Sequence, residues 1–488
     1  MIQGGFGREE SIPHKLLHCI VDMRGIENIM QKQLKNIYGQ LPSYLQNCID
    51  EIWYCLPQDF KFGSAYSKML NLLIEKDGWS KDKIDFWRNE EIRKVLIHAY
   101  NTCPFYNKHF KAAGFNPMTY RYIEDLENIP PINKDIVQDN LVDMLSNAFS
   151  SKDRVFLTTG GTTGKQMSFY NQRRVTFAKE KAFYDYLWSK VGYMAGKSEK
   201  VVLRNNVLKD RLWKYNYREH TWIIDTYHLT DENCRKIITK LNELKIEFFH
   251  VYPSAVLCLA EYMHRHNDYL LYTPTAIFAT SENLYKGQRE IIESAFNCRM
   301  MMSYGHSEMC SLASQCLSGD HYHIEEMYGY TELLDENQET IKKVGKKGEI
   351  TATGFNNYVM PLIRYRTADY AEYGEEDNCG DGRVLRNIDG RWLQEMLVTS
   401  QGNKISMTAI NFHSDVFDNV KFYQFYQDAP GLVTMKIVKE KSYEAKDEHA
   451  IKEAMQEKLG KYLALAIEYV DEIEKAPNGK FRYIISKL

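Results

Sequence analysis

The segment with the clearest chemical character is a loop rich in glycine and threonine that ends in lysine. Residues 157–165 read L-T-T-G-G-T-T-G-K and follow a predicted strand at Arg154–Thr158. Backbone N–H groups, hydroxyls and an ammonium in one such loop favour polyphosphate binding. The segment is not a Walker A loop, because Thr159 replaces the first glycine of that pattern and Gln166 follows the lysine. A glycine-rich surface turn is the alternative interpretation.

Three further segments contain residues that could act on a bound phosphate. The first, 304–308 (Y-G-H-S-E), ends in a glutamate, a hard oxygen ligand of the kind Mg²⁺ prefers. The second, 361–369 (P-L-I-R-Y-R-T-A-D), ends in an aspartate that can accept two hydrogen bonds. The third, 477–480 (P-N-G-K), is a turn that presents a lysine. Each residue has a plain alternative, since isolated charged side chains are usually only solvated.

In this order, the segments resemble the motifs of the adenylate-forming (AMP-forming) ligase superfamily. The matching family patterns are S/T-S/G-G-S/T-T-G-x-P, Y-G-x-S/T-E, P-L-I-R-Y-x-T-G-D and a C-terminal G-K, and residues 390–391 resemble the G-R of the G-R-x-x-D hinge. Residues 95–110 are similar to the N-terminal helix and Pro-Tyr-Tyr element of the phenylacetate–CoA ligase branch and its CapK-type relatives, which are linked to capsular polysaccharide synthesis. The match extends from about residue 95 to residue 485.

The resemblance implies a role for each matching residue. The catalytic residues would be Lys480, Glu308 and Lys165. Glu308 and Thr163 would hold Mg²⁺ between the phosphates of ATP. Within the nucleotide site, Tyr304 would pack on the adenine and Asp369 would bind the ribose hydroxyls. The full set of implied nucleotide-binding residues is Thr158, Thr159, Gly160, Gly161, Thr162, Thr163, Gly164, Ser281, Glu282, Tyr304, Gly305, Ser307, Asp369 and Arg391.

The sequence departs from the family pattern at three positions. Ala368 stands where the family usually has glycine, a change that we expect to be tolerated if its φ is negative. Gln394 occupies a hinge position where aspartate is common, and Lys165-Gln166 replaces Lys-Pro. None of these changes removes a group that adenylation chemistry needs.

Alternating strands and helices indicate how these segments are held. Predicted strands at Lys200–Leu203, 247–251, Ala276–Thr280 and 299–304 alternate with predicted helices at 175–191, Asp231–Leu244, 254–264 and 286–296. This alternation is typical of an α/β domain with a largely parallel sheet. Later strands at 330–334 and 349–353 are expected to be more antiparallel.

We therefore predict an α/β protein: a large N-terminal adenylate-forming domain with mostly parallel sheets and a small C-terminal α+β cap domain. The predicted divisions are a helical extension at 1–90, the adenylation (AMP-binding) domain at 91–394, and a mobile domain at 395–488 carrying Lys480. In the C-terminal part, strands at 421–426, 433–438 and 466–470 surround a helix at 448–459.

Composition narrows the class of partner. The 488 residues carry 62 basic and 65 acidic side chains, which argues against a nucleic-acid binder because that function needs a basic surface. Ten cysteines without a C-x-x-C pair are too few for a disulfide scaffold. No apolar run approaches the roughly 20 residues of a membrane-spanning helix, so we expect a cytoplasmic protein. We also expect a monomer or a homodimer.

The expected reaction is activation of a small carboxylic acid as acyl-AMP, with ATP and Mg²⁺, followed by transfer to a thiol such as CoA. An amine or protein acceptor, a carrier protein, and a non-catalytic nucleotide-binding role beside polysaccharide-pathway enzymes remain as alternatives. A serine hydrolase using Ser307 is a more distant one, since the final glycine of G-x-S-x-G is missing. A zinc site could draw on a fourfold set: Cys310, Cys316, His321 and His323.

Overall fold

The computed structural model describes residues 41, 43–158, 167–204, 206, 208, 211–284, 287–316, 318–375, 383–389, 396–402, 404–406, 410, 415–417, 419–459, 462–473 and 484–488. The chain divides into two compact units, 1–56 and 57–488. In the first unit the described residues include one helix, α1 (Ser43–Cys55). All of the sites discussed below belong to the second unit.

The helices of the second unit are α2 (Gln58–Phe62), α3 (Ser64–Lys76), α4 (Lys81–Thr102), α5 (Pro104–Ala112), α6 (Lys134–Asp139), α7 (Thr176–Ser189), α8 (Asp231–Leu244), α9 (Pro253–His266), α10 (Gln288–Phe296) and α11 (Ala445–Leu459). Helix α4 begins after Ser80, whose hydroxyl accepts a hydrogen bond from the Lys83 amide at 3.3 Å. Pro104 begins α5, because its fixed φ suits a first helical position and its missing N–H is not needed there.

Two strands flank the glycine-rich loop and twelve form the central sheet. The strands are β1 (Arg154–Thr158), β2 (Ser168–Gln172), β3 (Lys200–Leu203), β4 (Trp213–Asn216), β5 (Thr221–Ile224), β6 (Phe248–Val251), β7 (Ala276–Thr280), β8 (Met300–Gly305), β9 (Leu312–Gln315), β10 (Tyr322–Ile324), β11 (Gly329–Leu334), β12 (Lys347–Gly354), β13 (Tyr365–Tyr373) and β14 (Val384–Asp389). Strands β1 and β2 pair antiparallel, and the order in the large sheet is β11-β12-β13-β14-β10-β9-β8-β7-β6-β3-β5-β4.

The α/β class is confirmed, but the large sheet is mixed rather than mostly parallel. Strands β8, β7, β6 and β3 run parallel to one another, as the strand–helix alternation predicts, and β5, which the sequence analysis did not predict, pairs parallel with β3. The remaining pairings are antiparallel. Short connections favour antiparallel neighbours, whereas parallel neighbours need a crossover such as a helix. The helix-free stretch after β8 therefore adds antiparallel strands to the parallel half.

Alternation along the parallel strands separates two faces. On one face, Val201 and Leu203 of β3 pack in a core that includes residues of α8, α9 and α10. On the other face, Phe278 of β7 stacks on Trp188 of α7, with ring centroids 4.7 Å apart. Because both faces are covered, β7 is buried along its whole length.

The C-terminal part is an α+β unit, as predicted. A hairpin of β15 (Met396–Val398) and β16 (Lys404–Ser406) precedes a sheet of β17 (Val420–Ala429), β18 (Leu432–Lys439), β19 (Ala464–Tyr469) and β20 (Ile484–Ser486). The order is β19-β18-β17-β20, and α11 connects β18 to its parallel neighbour β19. Tyr227 packs into the hydrophobic core formed by these C-terminal strands and α11.

A pair of glycines makes room for the segment that follows β8. Gly329 and Gly354 lie opposite each other in strands β11 and β12. A Cβ on Gly329 would lie 2.1 Å from the carbonyl oxygen of Cys310, and one on Gly354 would lie 2.8 Å from the Cys310 Cβ. The backbone of 304–310 can approach the sheet this closely because both positions lack a side chain.

We expect Gly329→Ala to lower the free energy of unfolding by about 1–3 kcal/mol, because the added methyl meets backbone atoms that cannot move independently. Urea denaturation of the two proteins measures the difference. Gly78→Ala is the control, since the nearest atom to its Cβ is the Glu75 carbonyl oxygen at 3.8 Å. Equal stability of Gly329→Ala and the parent chain would contradict this description of the contact.

Candidate active site

A cavity of about 810 Å³ lies between α7 and the adjoining face of the central sheet. Eight residues predicted from the sequence to bind nucleotide or metal line it: Thr158, Ser281, Glu282, Tyr304, Gly305, Ser307, Glu308 and Asp369. They come from segments more than 200 residues apart. The cavity opens where β3, β6, β7 and β8 have their carboxyl ends, the edge at which open α/β sheets bind ligands.

The remaining predicted site residues lie outside the described part of the chain: Thr159, Gly160, Gly161, Thr162, Thr163, Gly164, Lys165, Arg391 and Lys480. The ends of the glycine-rich segment are nevertheless placed. Thr158 pairs with Ser168 in the β1–β2 ladder, and Thr158 lines the cavity. The segment predicted to bind phosphate therefore leaves from the cavity wall.

Glu308 is held by two side chains at the end of the segment after β8. The Tyr365 hydroxyl donates to Glu308 Oε1 at 2.9 Å, and His306 Nδ1 lies 3.1 Å from Oε2. Burial opposes ionisation, but the hydrogen bond and the charge of His306 outweigh it and lower the pKa of Glu308 to about 2. The carboxylate is therefore an anion at neutral pH.

His306 is the cation that this carboxylate needs. Its Nε2 lies 3.7 Å from Cys310 Sγ, while Nδ1 faces Glu308. Burial alone would lower the pKa of His306, but the adjoining Cys310 and Glu308 raise it above the usual value. Because both ring nitrogens face these neighbours, the arrangement does not activate Ser307 as a nucleophile, and the serine-hydrolase alternative gains no support.

Tyr304 and Asp369 meet across the sheet. The Tyr304 hydroxyl donates to Asp369 Oδ2 at 3.0 Å, and the Asp369 amide donates to the Thr367 hydroxyl at 3.1 Å. These bonds orient the carboxylate on the cavity wall. The tyrosine was predicted to pack on adenine, and the structure adds a second task, namely positioning Asp369.

The predicted 281–282 element meets the first turn of α9. Glu282 accepts hydrogen bonds from the Ser254 amide at 2.8 Å and from the Ser254 hydroxyl at 3.0 Å. Ser254 is the second residue of a helix that starts at Pro253, so the carboxylate caps amides that have no partner inside the helix. These bonds hold Glu282, a predicted nucleotide-binding residue, against the start of α9.

Ala368 was expected to be tolerated in place of glycine if its φ is negative, but its φ is +58°. Its amide donates to Glu349 Oε1 at 2.9 Å, at a register shift between β12 and β13. Alanine in this left-handed conformation is strained by about 1–2 kcal/mol, which glycine would avoid. The replacement of glycine is thus accommodated at an energetic cost.

The fourfold zinc set does not come together as a whole. Ligand atoms of Cys316, His321 and His323 lie within 4.8 Å of one another at the β9–β10 turn. Cys310 is instead buried beside His306. The structure thus retains three members of the proposed set and removes the fourth.

Sequence reasoning missed several residues of the cavity wall. His306, Glu180, Lys200 and Arg204 line this wall, and Tyr365 donates to Glu308 on it. Tyr365 and His306 occur inside recognised motifs, so their position was an available signal. A lysine at the start of a buried strand was the available signal for Lys200.

The sequence of the chain is similar to that of CapK-type proteins. A family model of the CapK C-terminal domain matches residues 397–487. The chain is 26% identical over 473 residues to Protein CapK of Staphylococcus aureus, covering 93% of this chain and 100% of that protein. The chain is therefore similar to Protein CapK over nearly its whole length, and to phenylacetate-coenzyme A ligases over about two thirds of it.

Two CoA ligases are less similar to the chain. The phenylacetate-coenzyme A ligase of Escherichia coli (strain K12) is 22% identical over 328 residues, which cover 64% of this chain and 71% of that protein. A crystal structure of 2-hydroxyisobutyryl-CoA ligase with an acyl-adenylate and CoA superposes with a TM-score of 0.54, at 17% identity, over 83% of this chain and 90% of that one. The similarity to 2-hydroxyisobutyryl-CoA ligase is a similarity of fold.

Among the described residues, no helix of the chain is both long and apolar enough to span a bilayer.

We expect Ala368→Gly to raise the free energy of unfolding by about 0.5–1 kcal/mol, because relief at positive φ exceeds the added entropy of the unfolded chain. Ala371→Gly is the matched control: Ala371 lies in the same strand, is fully buried and has no positive φ. The control variant should be less stable than the parent chain. Urea denaturation checks both, and a loss of stability in Ala368→Gly would contradict the strain.

Glu180 of α7 predicts a pH dependence. Burial raises its pKa to about 7, although the Tyr328 hydroxyl donates to it and acts in the opposite direction. Because the pKa of Glu180 in the folded protein exceeds the ordinary glutamate value of 4.5, this contribution to stability is complete below pH 4.5 and is lost as pH rises through about 7. The loss is up to about 3 kcal/mol at alkaline pH.

Urea denaturation at pH 5 and pH 8 tests this sign. From pH 5 to pH 8, the free energy of unfolding of Glu180→Gln should rise relative to that of the parent chain. Over the same range, Tyr328→Phe should lose more stability than the parent chain, because it lacks the hydrogen bond that favours the Glu180 anion. A parent–Glu180→Gln difference that is the same at both pH values would show that the carboxyl is not perturbed.

Proposed function

We propose that this protein activates a carboxylic acid as an acyl-adenylate, with release of pyrophosphate from ATP, and transfers the acyl group to a thiol, with CoA as the first candidate. The observation that carries this proposal is the convergence of eight motif residues on one cavity at the carboxyl edge of the parallel strands. CoA ligases among the relatives and structural neighbours support the same reaction class.

Two anionic side chains at the cavity support a nucleotide–metal complex. Glu308 is ionised, buried and built from hard oxygen donors, which is the donor chemistry that Mg²⁺ requires. Glu308 would hold the ion with Thr163, and the ion would supply charge compensation for the phosphates when bound. The Asp369 carboxylate, fixed by Tyr304, would accept hydrogen bonds from the ribose hydroxyls.

The two lysines that would stabilise negative charge during the reaction lie outside the described residues. Lys165 would neutralise the β- and γ-phosphates, and Lys480 would stabilise the charge that develops between the attacking carboxylate and the α-phosphate. We place Lys480 in a mobile domain, 395–488, that turns about 390–402 between the half-reactions. Arg391 in that segment would contact the ribose or phosphate.

Exchange of labelled pyrophosphate into ATP isolates the first half-reaction. We expect Lys480→Ala and Glu308→Gln each to lower the rate at least 100-fold, the usual loss when one preorganised charge is removed from a transition state. Asp369→Asn should chiefly raise KM for ATP, because its contact is present in ground and transition states alike.

Glu336→Gln serves as the control, since Glu336 is exposed in the loop between β11 and β12. Unchanged exchange in Lys480→Ala would remove that lysine from the mechanism. ATP binding without pyrophosphate release from any acid would favour the non-catalytic nucleotide-binding alternative. Product analysis with CoA, an amine or a carrier thiol then identifies the acceptor, and formation of acyl-amide without acyl-CoA would overturn the thiol assignment.

A further inference from the structure

The far wall of the cavity contains a buried cation that the nucleotide residues do not use. Residues of β3 alternate, so that Lys200, Val202 and Arg204 line the cavity while Val201 and Leu203 enter the core behind the sheet. Arg204 follows the carboxyl end of β3, at the edge where the nucleotide residues lie. Lys200 lies four residues earlier, about 13 Å deeper along the strand.

The surroundings of Lys200 are neutral at hydrogen-bonding distance. Its ammonium donates to the Tyr193 hydroxyl at 3.2 Å and to the Glu219 carbonyl oxygen at 3.1 Å. In the described part of the chain no carboxylate oxygen lies within 4.0 Å of it. An ammonium has three donors, so one remains for a ligand. Burying such a charge without an anion is costly, and a bound anion would offset that cost.

Lys181, a neighbouring cation on α7, is paired with a carboxylate, which distinguishes it from Lys200. Lys181 of α7 forms an ion pair with Asp185, whose Oδ2 also accepts from the Tyr66 hydroxyl at 2.7 Å. Burial, together with Lys181, lowers the pKa of Lys200 to about 8, against the opposite effect of Glu219 and Asp185. The side chain therefore remains mainly protonated at pH 7.

The rest of the deep end is hydrophilic on one side and aromatic on the other. Asn216 and Thr221 line it from β4 and β5, Glu219 lines it from the turn between these strands, and Trp188 covers it from α7. A purely apolar acyl group here would leave the Lys200 ammonium desolvated with no anion in direct contact. The cavity wall thus favours a ligand whose distal end is charged.

We infer that the acid activated by this enzyme carries a second anionic group, a carboxylate or a phosphate, which Lys200 binds at the deep end of the cavity while the reacting carboxylate lies near Arg204. This inference rests on the proposed function, because the cavity is taken to hold the acid beside ATP. It assigns the substrate class: an extended acid with anions at both ends, in contrast to an aryl acetic acid.

Matched acids test the inference through pyrophosphate release. Glutarate, adipate and 3-phosphonopropanoate are compared with pentanoate, hexanoate and phenylacetate. The parent chain should prefer at least one dianion over its monoacid by about 10- to 100-fold in kcat/KM, the range expected for a hydrogen bond to a charged group. Lys200→Met should abolish that preference and leave KM for ATP unchanged, and Lys200→Arg should restore part of it.

A second measurement separates binding from catalysis and from folding. The rise in Tm on adding each dianion should occur in the parent chain and in Lys108→Met, an exposed-lysine control, and should be lost in Lys200→Met. Measuring Tm without ligand shows whether that variant is folded, and Lys200→Arg provides the same comparison if it is not.

The two measurements give distinguishable failures. Monoacids activated as well as dianions, or a dianion preference that survives in Lys200→Met, would overturn the inference and leave the proposed function intact. Dianion binding that depends on Lys200, without pyrophosphate release from any acid, would instead overturn the proposed function and support the binding site. The absence of both signals would contradict both.

Discussion

The site depends on one buried ion pair. Arg364 is 2% exposed, and its Nε and Nη2 donate to the two carboxylate oxygens of Glu332 at 2.8 and 2.9 Å. Its Nη1 also donates to the carbonyl oxygens of Leu126 and Ile129. Removing either member would leave a buried charge unpaired, which typically costs 3–5 kcal/mol. The pair fixes the start of β13, and therefore the strand that carries Tyr365 towards Glu308.

A chain of contacts runs from this anchor to the cavity. Tyr365, next to Arg364, donates to Glu308, and Glu308 in turn holds His306 at the end of β8. Four residues further along β13, Asp369 accepts from Tyr304. Strand β13 thus forms one hydrogen bond with β8 and one with the segment that follows β8, although β8 and β13 are not neighbours in the sheet. The positions of both anionic groups follow from packing rather than from the loops alone, so the site is preorganised.

The cavity divides its charges by environment. Glu308 is stabilised as an anion by a cation and a hydroxyl, whereas burial keeps Glu180 protonated up to about pH 7. Lys200 has only neutral partners at the opposite end. Charged side chains of both signs thus line the cavity, and their immediate partners differ from one end to the other.

The sequence by itself determined the motif residues, the α/β class and nearly the bounds of four of the five parallel strands, because apolar runs and glycine-rich turns are local signals. Only the tertiary structure decided the antiparallel half of the sheet, the positive φ of Ala368 and the partners of Glu308. It also decided that Lys200 belongs to the cavity. These depend on which distant strands pair and which face each side chain takes, and the pairing of segments far apart in sequence is set by packing of the whole chain rather than by any local pattern.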